Sequence, residues 1–162
     1  MSNLFKDTYT DLWEYLSSPQ KDLIQQGEFL LKEIEQDKKF DFIDYSFVVF
    51  PFAKAYEGFL KKLFLDVGFI NDEEYISPHF RLGKVLSPNL VRKLGDASVY
   101  KKIADIYGNI IADRVWTTWK RGRNEVFHYF PHNIRSLSFE DAREIIDALI
   151  GTMNVAYDHL CD

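Results

Sequence analysis

Phe42-Ile43-Asp44-Tyr45-Ser46-Phe47-Val48-Val49-Phe50-Pro51-Phe52-Ala53-Lys54-Ala55-Tyr56-Glu57-Gly58-Phe59-Leu60-Lys61-Lys62-Leu63-Phe64 is apolar on nearly every side when wound into a helix. A helix of that kind is normally buried at the centre of a domain, so the stretch predicts a central helix with others packed about it. Asp41 or Asp44 is the expected cap, and Gly68 is expected to stop the helix after about Val67. Pro51 falls inside it, where a missing N–H and a ring clash predict a kink or a division. Towards the N-terminus, from Thr8 to Asp37, Leu12, Leu16, Leu23, Ile24, Phe29, Leu30, Leu31 and Ile34 recur among charges, with a break at Ser17-Ser18-Pro19. That pattern predicts a short helix followed by a longer amphipathic one.

Towards the C-terminus the pattern first weakens. Asn71-Asp72, Ser77-Pro78, Gly83, Ser87-Pro88 and Gly95 punctuate a long connection expected to hold one or two short helices. Helicity resumes near Ser98 and is expected to run through Ile103, Ile106, Ile110, Val115, Trp116 and Trp119 until Pro131 ends it. Ser138 then supplies an N-cap, Glu140 and Asp141 acidify the first turn, and Ala142, Ile145, Ile146, Leu149, Met153 and Ala156 form the inward stripe of a last helix. With no repeats, heptads or strand alternation, the expected fold is all-α: an antiparallel bundle of four or five main helices, in a single domain over residues 1–162.

Composition narrows the function classes. The one cysteine, Cys161, excludes a disulfide framework and a four-cysteine zinc site within the chain, and favours a reducing compartment. Met1-Ser2-Asn3-Leu4-Phe5-Lys6-Asp7 lacks the basic-then-apolar pattern of a signal peptide. The longest apolar runs, such as residues 47–53, fall far short of the roughly 20 residues that span a bilayer. A soluble, cytoplasmic protein without a membrane partner is expected. The formal net charge of −5 argues against coating nucleic acid through a global positive field. Locally the balance reverses: between residues 114 and 135, Arg114, Lys120, Arg121, Arg123 and Arg135 face only Glu125. A basic patch on an acidic body suits a small phosphate-directed site, although a solvated basic helix face reads the same way.

Within that patch lies Arg121-Gly122-Arg123-Asn124-Glu125-Val126-Phe127-His128, a permanent cation, a carboxamide and an imidazole within two helical turns. Arginine can grip a phosphate through two parallel hydrogen bonds, and histidine both gives and takes protons near neutral pH. These are the groups needed to cut RNA without a metal. On an α-helical wheel of about 100° per residue, Arg121 and Asn124 share the face of His128, while Arg123 lies about 140° away. His128 and His132 have a metal-like spacing, but Pro131 between them breaks the helix that would align them, so no metal and no other cofactor is expected. Trp116, Trp119, Phe127, Tyr129 and Phe130 could stack bases or could be core and interface; Tyr129, beside the histidine, is the candidate for substrate contact.

The Arg123-Asn124-x-x-x-His128 run, the helical chain of this size and the earlier Ala55-Tyr56-Glu57-Gly58-Phe59-Leu60-Lys61-Lys62-Leu63 segment together resemble the HEPN superfamily. The likeness is greatest to the HEPN domain of RnlA/LsoA-type toxins, the ribonucleases of certain toxin–antitoxin and anti-phage systems. It covers the chain from about Phe42 onward. The additional N-terminal domains of those toxins have no room here, so a stand-alone or truncated form is expected. The resemblance implies a metal-independent endoribonuclease whose two subunits join their Arg-His motifs in one cleft. There the ribose 2′-hydroxyl attacks the adjacent phosphate. It implies His128 as the proton-transfer group, Arg123 as the phosphate-binding catalytic residue and Glu57 as the glutamate that fixes the arginine or orients the histidine. Asn124 would orient the histidine or the phosphate, with Lys120, Arg121 and Tyr129 as further substrate contacts. The implied partners are RNA, a second copy of the chain, and an antitoxin.

Two alternatives stay open. Helical geometry prefers Arg121 for the phosphate, whereas the family pattern prefers Arg123. Glu57 could instead make an ordinary i,i+4 pair with Lys61 on an exposed stripe. More broadly, the chain could be a non-catalytic HEPN-like module that dimerises or binds a partner such as a nucleotidyltransferase or antitoxin.

Overall fold

A computed structural model describes residues 4–37 and 41–161. Residues 1–3, the start of the segment read as carrying no signal peptide, lie outside them. The fold is all-α, and the described residues contain no strand. Two short helices, α1 (Leu4–Thr8) and α2 (Thr10–Tyr15), lead into α3 (Ser18–Gln36). The break falls at Ser17, as the sequence indicates, and the Gln20 side-chain carbonyl accepts the Ser17 N–H at 3.0 Å to cap α3.

Helix α4 (Ser46–Asp66) is the predicted central helix. Val48, Val49, Phe52, Tyr56, Phe59, Leu60, Leu63 and Phe64 are all buried, each aliphatic or Phe side chain contributing about 1.5–3 kcal/mol by leaving water. Helix α3 packs on one side of it and the last helix on another. Gly27 of α3 approaches so closely that an added Cβ would meet the Phe52 ring at 2.4 Å. Pro51 does not divide the helix. It falls in the second turn, and the donor it lacks would have reached only the Phe47 carbonyl near the helix start. Asp44, rather than Asp41, serves the helix start: its Oδ1 accepts the Ser46 N–H at 2.9 Å. Val67 ends the helix and Gly68 follows with φ +73°.

The connection after α4 is more helical than expected. It holds α5 (Asp72–Ile76), α6 (Leu82–Val85), a 3-10 turn, α7 (Val91–Leu94) and a second 3-10 turn. Leu82, Val85 and Leu86 anchor it to the core. The single helix expected from Ser98 to Pro131 is interrupted. Gly108, at φ +93°, separates α8 (Val99–Tyr107) from α9 (Asn109–Trp119), and Lys120–Glu125 then forms a π-helical turn. Helical structure stops before His128.

Helix α10 (Phe139–Leu160) starts at Ser138, whose Oγ accepts the Asp141 N–H at 3.0 Å. Its predicted stripe of Ala142, Ile145, Ile146, Leu149, Met153 and Ala156 is buried. Polar ties hold α9 in register: the buried Tyr56 hydroxyl donates to the Val115 carbonyl at 3.1 Å, and Thr118 and Thr152 share a hydrogen bond of 2.9 Å. The π-helical turn continues α9 directly and is held against both α4 and α10.

Candidate functional site

The π-helical turn decides where the charged residues go. In an i→i+5 turn the angular step is smaller than in an α-helix, so a wheel of α-helical pitch no longer applies beyond Lys120. Gly122 makes the turn's packing possible. It is buried, and a Cβ there would sit 2.8 Å from Cδ2 of Leu149, itself fully buried in α10.

With Gly122 held against α10, the flanking arginines part. Arg121 reaches along α10 to Glu144 at 3.6 Å. Arg123 crosses to α4, where its Nε donates to Oε2 of Glu57 at 3.2 Å, and its guanidinium lies 5.5 Å from the centroid of the Phe127 ring. The Arg123 and Glu57 side chains keep 38% and 32% of their exposure. They are reachable from solvent yet positioned. Of the two readings left open for Glu57, the ordinary i,i+4 pair with Lys61 gives way to this bond between distant segments.

Asn124 and His128 make the second contact of the site. The Asn124 Oδ1 lies 3.2 Å from Nε2 of His128. With Oδ1 as acceptor, the imidazole carries its proton on Nε2 and presents Nδ1 as a base. His128 hangs from the end of the turn, its N–H donating to the Glu125 carbonyl at 3.3 Å.

Glu57, Arg123, Asn124 and His128 line one cleft of about 620 Å³. That volume falls within the roughly 300–1,000 Å³ of small-ligand sites. Trp116 and Trp119 of α9, with Phe127, supply apolar wall. Trp119 is buried and Trp116 half-buried, so only the latter offers much ring to a ligand. The remaining wall comes from Ser77, Pro78, Phe80 and Arg81 between α5 and α6, from Leu82 and Gly83 at the start of α6, and from Lys61. Gly83 lies so near Trp119 that a Cβ would meet Nε1 at 2.8 Å.

Three residues expected at the site lie outside this cleft. Arg121 is engaged with Glu144, Lys120 pairs with Glu125 at 3.5 Å, and Tyr129 is 77% exposed beyond the helix end. The basic patch is correspondingly weaker than its sequence count. Arg114 donates to Thr152 at 3.3 Å and Arg135 stacks 3.9 Å from the centre of the Phe130 ring. Conversely, sequence reasoning passed over Arg81. Its signal was a cation bracketed by Ser77-Pro78 and Gly83, the composition of a fixed turn.

The loop beyond His128 is tied back to α4 by Asp44. His132 and Asn133 both adopt positive φ, +59° and +52°, which costs non-glycine residues energy. Asp44 accepts from Asn133 Nδ2 at 3.1 Å and from the Leu137 N–H at 3.3 Å. Burial opposes ionisation of Asp44, but the bonds from the Ser46 hydroxyl and amide, Asn133 and Leu137 outweigh it and hold the carboxyl below its usual range.

No family profile matches the chain, and neither a curated protein nor a solved structure matches it.

Proposed function

We propose that this chain is a metal-independent endoribonuclease of HEPN type, acting as a homodimer in a defence or toxin role. The observation that carries the reading is that Glu57–Arg123 and Asn124–His128, two paired sets from distant parts of the sequence, line one solvent-open cleft. Neither set is required to hold the core together.

The chemistry follows from those groups. Nδ1 of His128 takes the proton of a ribose 2′-hydroxyl as its oxygen attacks the adjacent phosphorus. The bond from phosphorus to the 5′-oxygen breaks, and that oxygen is protonated by the imidazolium of a second subunit's histidine. The products are a 2′,3′-cyclic phosphate and a 5′-hydroxyl. Arg123 neutralises the charge gathered on the phosphate oxygens, a fixed electrostatic contribution that a prealigned guanidinium makes without reorganisation. Glu57 holds that guanidinium by one nitrogen, Nε, leaving the terminal nitrogens to the phosphate.

A non-catalytic partner-binding module is the second reading. It is favoured by the neutralisation of Arg123 by Glu57, which a scaffold would use to satisfy a half-buried charge.

Cleavage of single-stranded RNA in excess EDTA separates the two. The ribonuclease reading expects a rate indifferent to the chelator and reduced about 10²–10⁴-fold in His128→Ala. Undiminished cleavage by the variant, or none by a dimeric wild-type preparation, favours the module.

A further inference from the structure

Three cations and one carboxylate line the cleft, on a chain whose net charge is −5. Arg123 is matched by Glu57, but the other two cations are differently placed. Lys61 Nζ lies 5.8 Å from the centroid of the Phe80 ring, and no carboxylate among the described residues pairs with it. Arg81 has no carboxylate partner among the described residues either. Its Nη1 donates to the backbone carbonyls of Pro78, at 2.6 Å, and Phe80, at 3.3 Å. Those bonds fix the guanidinium to its own turn while leaving its Nε and Nη2 donors without a partner among the described residues. A pre-oriented, uncompensated guanidinium is what bidentate binding of a phosphate requires.

Lys61, Phe80 and Arg81 thus share the cleft with the Arg123–His128 pair without belonging to it. We propose that Lys61 and Arg81 form a second anion subsite, holding a phosphate next to the scissile one, so that the substrate is a single-stranded RNA segment spanning at least two phosphodiesters. This rests on the reading of the cleft as a ribonuclease site. The strand is single because the half-buried rings of Phe80 and Trp116 wall the cleft, where unstacked bases can reach them and a paired, stacked duplex cannot present its bases. Lys61 and Arg81 are positioning residues: they hold the chain on one side of the bond that breaks.

The test separates binding from cutting. A 2′-O-methyl trinucleotide, with two phosphates and no attacking hydroxyl, is titrated into the wild-type protein, Lys61→Ala, Arg81→Ala and Arg81→Lys at several salt concentrations. The matching dinucleotide, with one phosphate, and a short RNA duplex are titrated in parallel, and thermal melts verify folding. Each alanine variant is expected to bind the trinucleotide about tenfold more weakly, with the slope of log affinity against log salt reduced by at most about 0.7, the value for complete loss of one phosphate contact to a single strand. Arg81→Lys recovers part of the affinity, dinucleotide binding changes little, and the duplex binds worse than the trinucleotide. Unchanged trinucleotide affinity and slope in both variants overturn the subsite, even where RNA is cut. Equal losses for the dinucleotide overturn its assignment to a second phosphate, and preferential duplex binding overturns the single strand. Wild-type binding that depends on both cations without any cleavage of natural RNA keeps the subsite and sinks the ribonuclease reading instead.

Discussion

Arg121 and Arg123 carry the same charge two positions apart, yet Arg121 meets Glu144 of α10 and Arg123 meets Glu57 of α4. Their roles should differ as their neighbours do. Arg123→Ala removes the cleft's charge beside His128 and is expected to lower the cleavage rate about 10²–10³-fold, the usual cost of losing one fixed charge-stabilising donor. Arg121→Ala breaks an exposed pair worth little, so its rate stays within a few-fold of wild type. Parallel single-turnover assays check this, and the reverse ranking would transfer the phosphate to Arg121. That an arginine, Asn124 and His128 would gather in one place was legible in the sequence, because they lie close together in it. Which arginine enters the cleft was not, since the α-helical wheel assumed a pitch that ends at Lys120. The convergence of Glu57 was legible only through a resemblance, because no spacing rule connects residues 66 positions apart.

At the scale of elements, the π-helical turn is the part on which the site depends most. Gly122→Ala would gain about 1 kcal/mol of helix propensity. Against that, its methyl group meets buried Leu149 at 2.8 Å, an overpacking that typically costs about 1–3 kcal/mol. The second effect should win, with a lower melting temperature and a loss of RNA cleavage larger than the melting shift explains, because the turn that aims Arg123 must move. A variant with normal stability and normal cleavage would show that this close approach does not position the site. The long helices α3, α4 and α10 were readable from periodicity, since each buries a stripe or a whole surface. The 69–97 connection was not: its short helices are held by tertiary anchors such as Leu82 and Leu86 rather than by any repeating pattern. Gly108 interrupts the penultimate helix by its positive φ, a turn that the apolar spacing on either side of it conceals.

For the whole molecule, Asp44 links the start of the central helix to the loop that follows the site. Its carboxyl is depressed in the folded state, so its stabilisation is complete above the unfolded value of about 4 and is lost as pH falls through the lower folded value. Asp44→Asn is therefore expected to be less stable than wild type at neutral pH. The gap should close as the pH is taken well below 4, as read by denaturant melts at several pH values. A gap that stays constant to pH 2 would mean that ionisation of Asp44 is not what ties the loop. The fold class was legible because a chain with one all-round apolar helix and amphipathic neighbours has few other ways to bury them. The exposure of Phe47 and Phe50 on the central helix was not, because an all-round apolar pattern does not mark which face of the helix its neighbours leave open. The most direct measurement of the central claim is the chemistry of the cut ends. Single-stranded RNA incubated with the purified protein in EDTA should yield 2′,3′-cyclic phosphate and 5′-hydroxyl termini, and His128→Ala should yield them about 10²–10⁴-fold more slowly. Termini bearing 5′-phosphate, or cyclic-phosphate ends still produced at the wild-type rate by His128→Ala, would contradict it.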